Sequence, residues 1–277
     1  MTDERPSPTL ASPSNPRIRA AARLRERRDR ESTGLTLVDG ARELRRALAN
    51  AIEIVEVFVC EPLLAGEDAR AVLDALRGGG VPITTTTEAA FAKLAFGDRA
   101  EGLVAVIRAP IGRLADLILP TDPLIVVVEG VEKPGNVGAI LRSADGAGAD
   151  ALIAASPRTD LTNPNVIRAS AGTIFAVPIA AAPTEAVIAW LRAQGIRILA
   201  ARVTDGGPYT DADLTGSVAV VLGSEADGLT DAWHAPDIAA VHLPMHGIAD
   251  SLNVSVSAAV LLYEARRQRD RHMPGAD

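Results

Sequence analysis

A chain of 277 residues with 48% hydrophobic and 23% charged side chains has enough apolar material for two cores rather than one. The single Cys60 excludes an internal disulfide, no apolar run reaches the roughly 18 residues of a membrane span, and the opening MTDERPSPTLASPSNP has no apolar signal core, so the expected compartment is the cytoplasm. A net charge of −7 argues mildly against nucleic acid, but its distribution argues the other way, with seven Arg between Arg17 and Arg30 against only Glu26 and Asp29.

In chain order, residues 1–16 are rich in Pro, Ser and Thr and read as a disordered tail. Residues 17–31 read as one basic helix. It carries Arg17, Arg19, Arg23 and Arg27, a patch suited to phosphate, although a solvated helix face would look the same. GLTLVDG (34–40) is a short strand, ARELRRALAN (41–50) a helix, IVEVFVC (54–60) a strand and DARAVLDALRGGG (68–80) a helix ended by glycines. VPITT (81–85) is a strand, TEAAFAKLA (87–95) a helix and EGLVAVIRAP (101–110) a strand. These elements make a small α/β unit over 17–108. The proline-punctuated stretch 109–123 reads as a linker.

A second unit spans 124–270, followed by a tail over 271–277. It opens with LIVVVEGV (124–131), a strand of the kind buried on both faces. A Gly/Pro loop follows, with Asn136 as expected cap of a helix running to Ala147, then the strand ALIAA (151–155) and a short helix around 163–172. TIFAVPIA (173–180) reads as a strand, TEAVIAWLRAQG (184–195) as a helix, IRILAARV (196–203) and SVAVVLG (217–223) as strands, LTDAWHA (229–235) as a helical turn and AAVHLPM (239–245) as the last strand. In the final helix Asp250 or Ser251 is the expected cap, and Leu252, Val256, Ala259, Val260 and Tyr263 form one apolar face. Aromatics make up only 3% of the chain, as suits a core of small aliphatic residues in an open, mostly parallel sheet. Ligands on such sheets bind at loops beyond the carboxyl ends of the strands.

Three such loops concentrate polar residues. VEGVEKPGNVGAILR joins a strand to a helix but contains neither Gly-Lys-Ser/Thr nor G-x-G-x-x-G, which removes the P-loop and dinucleotide readings. Arg142 stands six residues after Asn136, so on spacing alone the two need not share a face. VVLGSEADGL places Glu225 just past a buried strand, where a first-turn carboxylate would also be favoured by the helix dipole. PMHGIADSLNVSVS crowds Ser251, Asn253, Ser255 and Ser257 into the start of a helix, as a polar ligand site or an ordinary cap would. His242 and His246 have no partner at metal-ligand spacing, so no metal is expected.

N-x-G-x-I-x-R (Asn136 to Arg142), G-S-E-x-x-G-L (Gly223 to Leu229) and L-P-M…S-L-N-V-S-V (Leu243 to Val256) occur in this order. Together they resemble the three signature motifs of the SpoU, or TrmH-like, RNA 2′-O-ribose methyltransferases of the SPOUT superfamily. The resemblance covers about 124–268. More loosely, the N-terminal unit is similar to the ribosomal-protein-like substrate-recognition domain of many members. Ser257 departs from the common Ala, and Ala226 and Asp227 fill a variable pair.

The resemblance implies a SPOUT domain whose C-terminal segment forms a deep trefoil knot, an exception to the usual avoidance of knots, and a homodimer through that domain with part of each active site across the interface. It implies S-adenosyl-L-methionine as cofactor, held by Ala201, Leu222, Gly223, Leu243, Met245, Ser251, Leu252, Asn253 and Val254. It makes Arg142 the central catalytic residue, with Asn136, Glu225, Ser251 and Asn253 around it. Arg168 is the expected second phosphate contact. The two-unit layout points to ribosomal RNA of the large subunit, with transfer RNA or a non-catalytic RNA-binding homologue as alternatives.

Overall fold

The computed structural model describes residues 9–64, 66–96 and 101–272. Two compact units emerge: one of residues up to Pro110 together with Thr162–Phe175, the other of Ile111–Leu161 and Ala176 onward.

In the first unit, α1 (Pro16–Arg23) and α2 (Arg27–Thr33) replace the single basic helix expected over 17–31. The break at 24–26 is held by the Arg30 guanidinium, which is buried and donates to the carbonyls of Leu24 (2.8 Å) and Arg25 (2.6 Å). β1 (Leu35–Asp39), α3 (Ala41–Ala49), β2 (Ile54–Val59), α4 (Gly66–Gly78), β3 (Ile83–Thr85), the single turn α5 (Glu88–Phe91) and β4 (Leu103–Arg108) follow. The four strands lie in the order β1-β4-β2-β3, antiparallel except for β2 with β3. Ile18, Leu24, Leu37, Phe58, Phe91 and Val104 pack as its core. Leu10 forms a parallel bridge with Thr86, so the tail expected over 1–16 is ordered from there on, because a half-buried Leu finds an open sheet edge; residues 1–8 lie outside the described residues.

In the second unit the elements are β5 (Leu124–Glu129), α6 (Pro134–Ala147), β6 (Ala151–Ala155), then β7 (Ile179–Ala182), α8 (Thr184–Ala193), β8 (Arg197–Ala201), β9 (Gly207–Pro208), β10 (Val218–Leu222), β11 (Ile238–His242) and α9 (Val254–His272). The helix α7 (Pro164–Ala169) between β6 and β7 belongs with the first unit, where the Thr36 hydroxyl donates to the Thr162 carbonyl at 2.6 Å. The strand expected over 173–180 begins only at Ile179; Thr173–Phe175 is a 3-10 turn with all three side chains buried, an apolar run that periodicity alone reads as strand. All pairings in the seven-stranded sheet are parallel, in the order β7-β6-β5-β10-β8-β11-β9. β5 through β7 step outward on one side, while β10 and β8 lie on the other. The loops after β5, β8, β10 and β11 therefore gather where the strand order reverses, the usual ligand position on an open α/β sheet. Residues 109–123 are more than a linker: Leu114, Leu117 and Leu119 pack on the core of this unit, with Ile125, Ile153, Val221 and the fully buried Trp233.

The apolar face of α9 is not the expected one. Val254, Ala258, Leu261, Leu262 and Ala265 are buried, and α9 packs on α6. Leu252, Val256 and Tyr263 are 39%, 47% and 54% exposed. The two sets are offset by two residues, about 200° around a helix. Both stripes satisfy the same period.

Candidate active site

α6 begins with Pro134 in its first turn, where a missing N–H costs nothing, so the chain leaves β5 through Gly130 (φ +64°) and Lys133 and turns straight into the helix. Asn136 is consequently the third helical residue and not the expected cap. Its amide is free for another purpose: Nδ2 donates to Glu225 Oε1 at 2.6 Å.

Glu225 rides on the loop after β10. That loop is closed by a small bridge, Ser224 N to Gly228 O at 3.0 Å and Gly228 N to Ser224 O at 3.1 Å, with Gly228 at φ +67°. Gly223 has no alternative: a Cβ there would stand 2.3 Å from the Gly228 carbonyl carbon. The third contributor comes from the stretch before α9. Asn253 Nδ2 donates to Glu225 Oε1 at 2.7 Å and approaches Asn136 Oδ1 at 3.3 Å, while its own Oδ1 accepts from Ser255 N at 2.9 Å. Asn253 thus caps α9, the role expected of Asp250 or Ser251; the side-chain oxygen two residues before the orphan N–H reaches it, and the earlier ones do not. Lys133 Nζ lies 3.0 Å from Glu225 Oε2. The Lys133 ammonium first, then the Asn136 amide, hold the Glu225 carboxyl below its ordinary pKa.

Motif residues from three separate stretches of chain therefore meet, with Asn136 and Asn253 both donating to the Glu225 carboxylate. Beside them lies a cleft of about 680 Å³. Ala201, Leu222, Gly223, Leu243, Met245, Ser251, Leu252, Asn253 and Val254 all line it, with Glu225, Lys133, Arg202 and Ser257. Arg142 is not brought in. It is exposed on α6, about 240° around the helix from Asn136, and among the described residues it makes no hydrogen bond or ion pair. Ser251 lines the cleft without joining the Glu225 cluster.

The remaining arginines divide. Arg17 is paired with Glu56 and Thr84, Arg23 with Asp29 at 3.5 Å and Arg27 with Glu31 at 2.7 Å, whereas Arg19 has no pairing of this kind among the described residues. Arg168 lies in the first unit, donates to the Phe96 carbonyl at 2.9 Å and shares a second cavity with Asp39, Glu43 and Glu101. Sequence reasoning missed Lys133, Arg158 and Arg202. Arg158 Nη1 ties Glu132 (2.9 Å) to Asp227 (3.0 Å), a second clasp between the β5 and β10 loops. Only Lys133 carried a signal, as one of two lysines against 26 arginines.

Parallel strands whose carboxyl-end loops converge on a cleft of small-molecule size define a ligand-binding α/β protein. The chain belongs to the SpoU rRNA methylase family, whose model matches residues 123–263, and an MRM3-like substrate binding domain matches 15–105. It is 25% identical over 257 residues to the 23S rRNA (guanosine(2553)-2′-O)-methyltransferase RlmP of Bacillus subtilis (strain 168), covering 93% of this chain and 98% of that protein. A crystallised RNA 2′-O ribose methyltransferase is 41% identical, with a TM-score of 0.81 over 94% of this chain and 99% of that one. An AdoMet-bound rRNA methyltransferase from Sinorhizobium meliloti is 28% identical, with a TM-score of 0.84 over 94% and 97%. The α/β fold with a parallel sheet and a smaller N-terminal unit is that of these enzymes.

Proposed function

We infer that the chain transfers a methyl group from S-adenosylmethionine to the 2′-hydroxyl of a ribose in 23S ribosomal RNA. Family membership and full-length relatives with this activity support the reaction. The observation that carries it to this chain is the convergence of Asn136, Glu225 and Asn253 beside a cleft lined by all nine residues expected at the cofactor.

The cleft fits that cofactor. Its volume is in the range of small-molecule sites. Leu222, Leu243, Met245 and Leu252 offer an apolar slot for an adenine. Arg202, mostly buried, keeps an Nε–H without a partner among the described residues, a donor suited to the polar end of the ligand. When bound, S-adenosylmethionine supplies an electrophilic methyl on sulfur. The protein's part is alignment, from which an in-line displacement gains most. Glu225, by accepting from Asn136 and Asn253 and pairing with Lys133, fixes the three loops in one register. The Arg142 guanidinium carries donors and no acceptor, so it is not suited to act as the base. Exposed and without a side-chain partner among the described residues, it is suited to hold the target phosphate and stabilise the developing ribose oxyanion, with that phosphate receiving the proton.

Arg142 does not line the cleft of its own chain, which favours a site completed by a second copy. The exposed stripe of α9, with Val256 and Tyr263, offers the apolar surface for a homodimer through this unit. The strand order, with β10 inserted between β5 and β8 while α9 returns onto α6, suits a C-terminal knot. The first unit would contact RNA, with Arg19 exposed and unpaired among the described residues; Arg17, Arg23 and Arg27 would first have to leave their carboxylates, and Arg168 its carbonyl. The expected compartment is the cytoplasm, where ribosomes assemble.

The test is methyl transfer from labelled S-adenosylmethionine to total RNA of a strain lacking the gene, mapped by 2′-O-methyl-sensitive primer extension. Label at one nucleotide of the large ribosomal RNA is expected; label in transfer RNA would overturn the substrate. Arg142→Ala should abolish transfer while cofactor affinity stays within about threefold. A variant keeping most of its activity would sink the role given to Arg142.

A further inference from the structure

We propose that Glu129 is a positioning residue that sets the loop 223–230 and thereby the affinity for S-adenosylmethionine; the inference rests on the cofactor assignment above. Glu129 ends β5 and is 4% exposed, the only charged residue in an otherwise aliphatic strand. Burying a carboxyl there is costly unless its oxygens are matched by donors. They are: Oε2 accepts from Thr230 N at 2.8 Å, and Oε1 accepts from Thr230 Oγ1 at 3.0 Å and Thr184 Oγ1 at 2.6 Å.

The two threonines lie on opposite sides of the strand. Thr184 starts α8, and its N–H, an orphan of the first helical turn, donates to Ser156 Oγ at 3.0 Å. Ser156 in turn sits at φ +42°, a conformation unusual for a residue with a side chain, and its N–H donates to the Ala182 carbonyl at 2.8 Å. One end of the network is thus bolted to the carboxyl ends of β6 and β7. Thr230, at the other end, closes the loop that begins at Gly223 and carries Glu225, and its carbonyl accepts from Trp233 N at 3.2 Å, ahead of the fully buried indole.

Among the described residues, the other polar side-chain ties from this loop to neighbouring elements are at its exposed tip: Lys133 and the two asparagines on Glu225, Arg158 on Asp227. Those exposed contacts set the register of the loop tips, but a buried carboxylate with all its acceptors matched holds its partners more firmly. Glu129 is the buried anchor, and Gly223, Ser224, Glu225, Ala226, Asp227, Gly228 and Leu229 of the anchored loop form one wall of the cleft. Replacing the carboxyl by an amide leaves one oxygen for Thr230 N and sets the N–H₂ against the two threonine hydroxyls, which must turn from donors to acceptors, so the loop is held less firmly to β5.

The experiment is calorimetric titration of the full chain with S-adenosylmethionine, with hydrogen exchange of the ligand-free protein. Glu129→Gln should raise Kd about tenfold and speed exchange of the 224–230 amides, while KM for RNA stays within about twofold. Thr230→Val, which removes one hydroxyl, should raise Kd about threefold, and Thr230→Ser, which keeps it, should bring the affinity back. Should Glu129→Gln fail to fold, the Thr230 pair decides alone. A Kd unchanged in these variants, with only thermal stability lowered, would reduce Glu129 to a structural residue and overturn the proposal. A wild-type chain that does not bind S-adenosylmethionine would instead refute the cofactor assignment and the proposal with it.

Discussion

Replacing Asp39 by Asn should stabilise the protein, and only above a defined pH. Asp39 ends β1 and is 5% exposed; Oδ2 accepts from Phe96 N at 2.8 Å, but Oδ1 has no partner among the described residues. Burial pushes its pKa from 3.8 up to about 6, with Glu101 and Glu43 adding to the rise and the Phe96 N–H and Arg168 opposing it. Between these two values the folded protein binds a proton that the unfolded chain has released, so stability falls as pH rises. Two pKa units at 1.36 kcal/mol each make the loss about 3 kcal/mol, complete above about pH 7. An Asn carbonyl can still accept from Phe96 N while carrying no charge. Urea unfolding of wild type and Asp39→Asn at pH 4 and pH 8 isolates this term, because other titrating groups cancel in the difference. The variant should match wild type within about 0.5 kcal/mol at pH 4 and exceed it by about 2–3 kcal/mol at pH 8. A difference independent of pH would refute a desolvated carboxyl at this position.

Arg269 on α9 donates to the carbonyls of Leu214 (Nε, 3.2 Å), Asp122 (Nη1, 2.7 Å), Pro123 (Nη2, 3.3 Å) and Gly216, clasping the segments that lead into β5 and β10. Arg269→Ala should cost about 2–4 kcal/mol in urea unfolding, and Arg269→Lys about half of that, since an ammonium cannot span the four acceptors; a loss under about 0.5 kcal/mol for Ala would show the clasp to be idle. At the cleft, Lys133→Met should move the Glu225 carboxyl up toward 4.5, read from its side-chain carbon by NMR titration, because the Lys133 ammonium is the largest influence holding it down. An unmoved titration would mean that Lys133 does not engage Glu225 in solution.

Most of the second unit could be read from the chain because each parallel strand is a short aliphatic run ended by glycine or a polar loop, and ALIAA (151–155) is found as a strand with those bounds. The elements misread are those where local pattern had no unique solution. Thr173–Phe175 is apolar because it is buried, not because it is extended. The basic segment breaks at 24–26 because one Arg turns inward to cap carbonyls, which a charge count cannot show. The site was legible as motifs and not as geometry. Asn136, Glu225 and Asn253 are 89 and 28 residues apart in sequence and meet only because β10 is inserted next to β5.

The last helix makes the same point in energetic terms. Leu252, Val256, Ala259, Val260 and Tyr263 repeat with the spacing of Val254, Ala258, Leu261, Leu262 and Ala265, displaced by two residues. A soluble helix that needed one partner would carry charge on its second face. Here the charged residues wait until Glu264, Arg266, Arg267 and Arg269, in the last turns, and the first turns are apolar or hydroxylic on both sides. Periodicity finds two apolar stripes on such a helix but cannot rank them. Packing on α6 takes the Val254 stripe. The Val256 stripe keeps Val256 and Tyr263 exposed, and it starts at Leu252, a residue that also lines the cleft. A helix that begins in the cofactor cleft and presents its outer stripe to a partner would couple pairing of two chains to the shape of the cleft. On the proposed dimer, that coupling would also explain why Arg142, proposed as catalytic, stands outside its own chain's cleft.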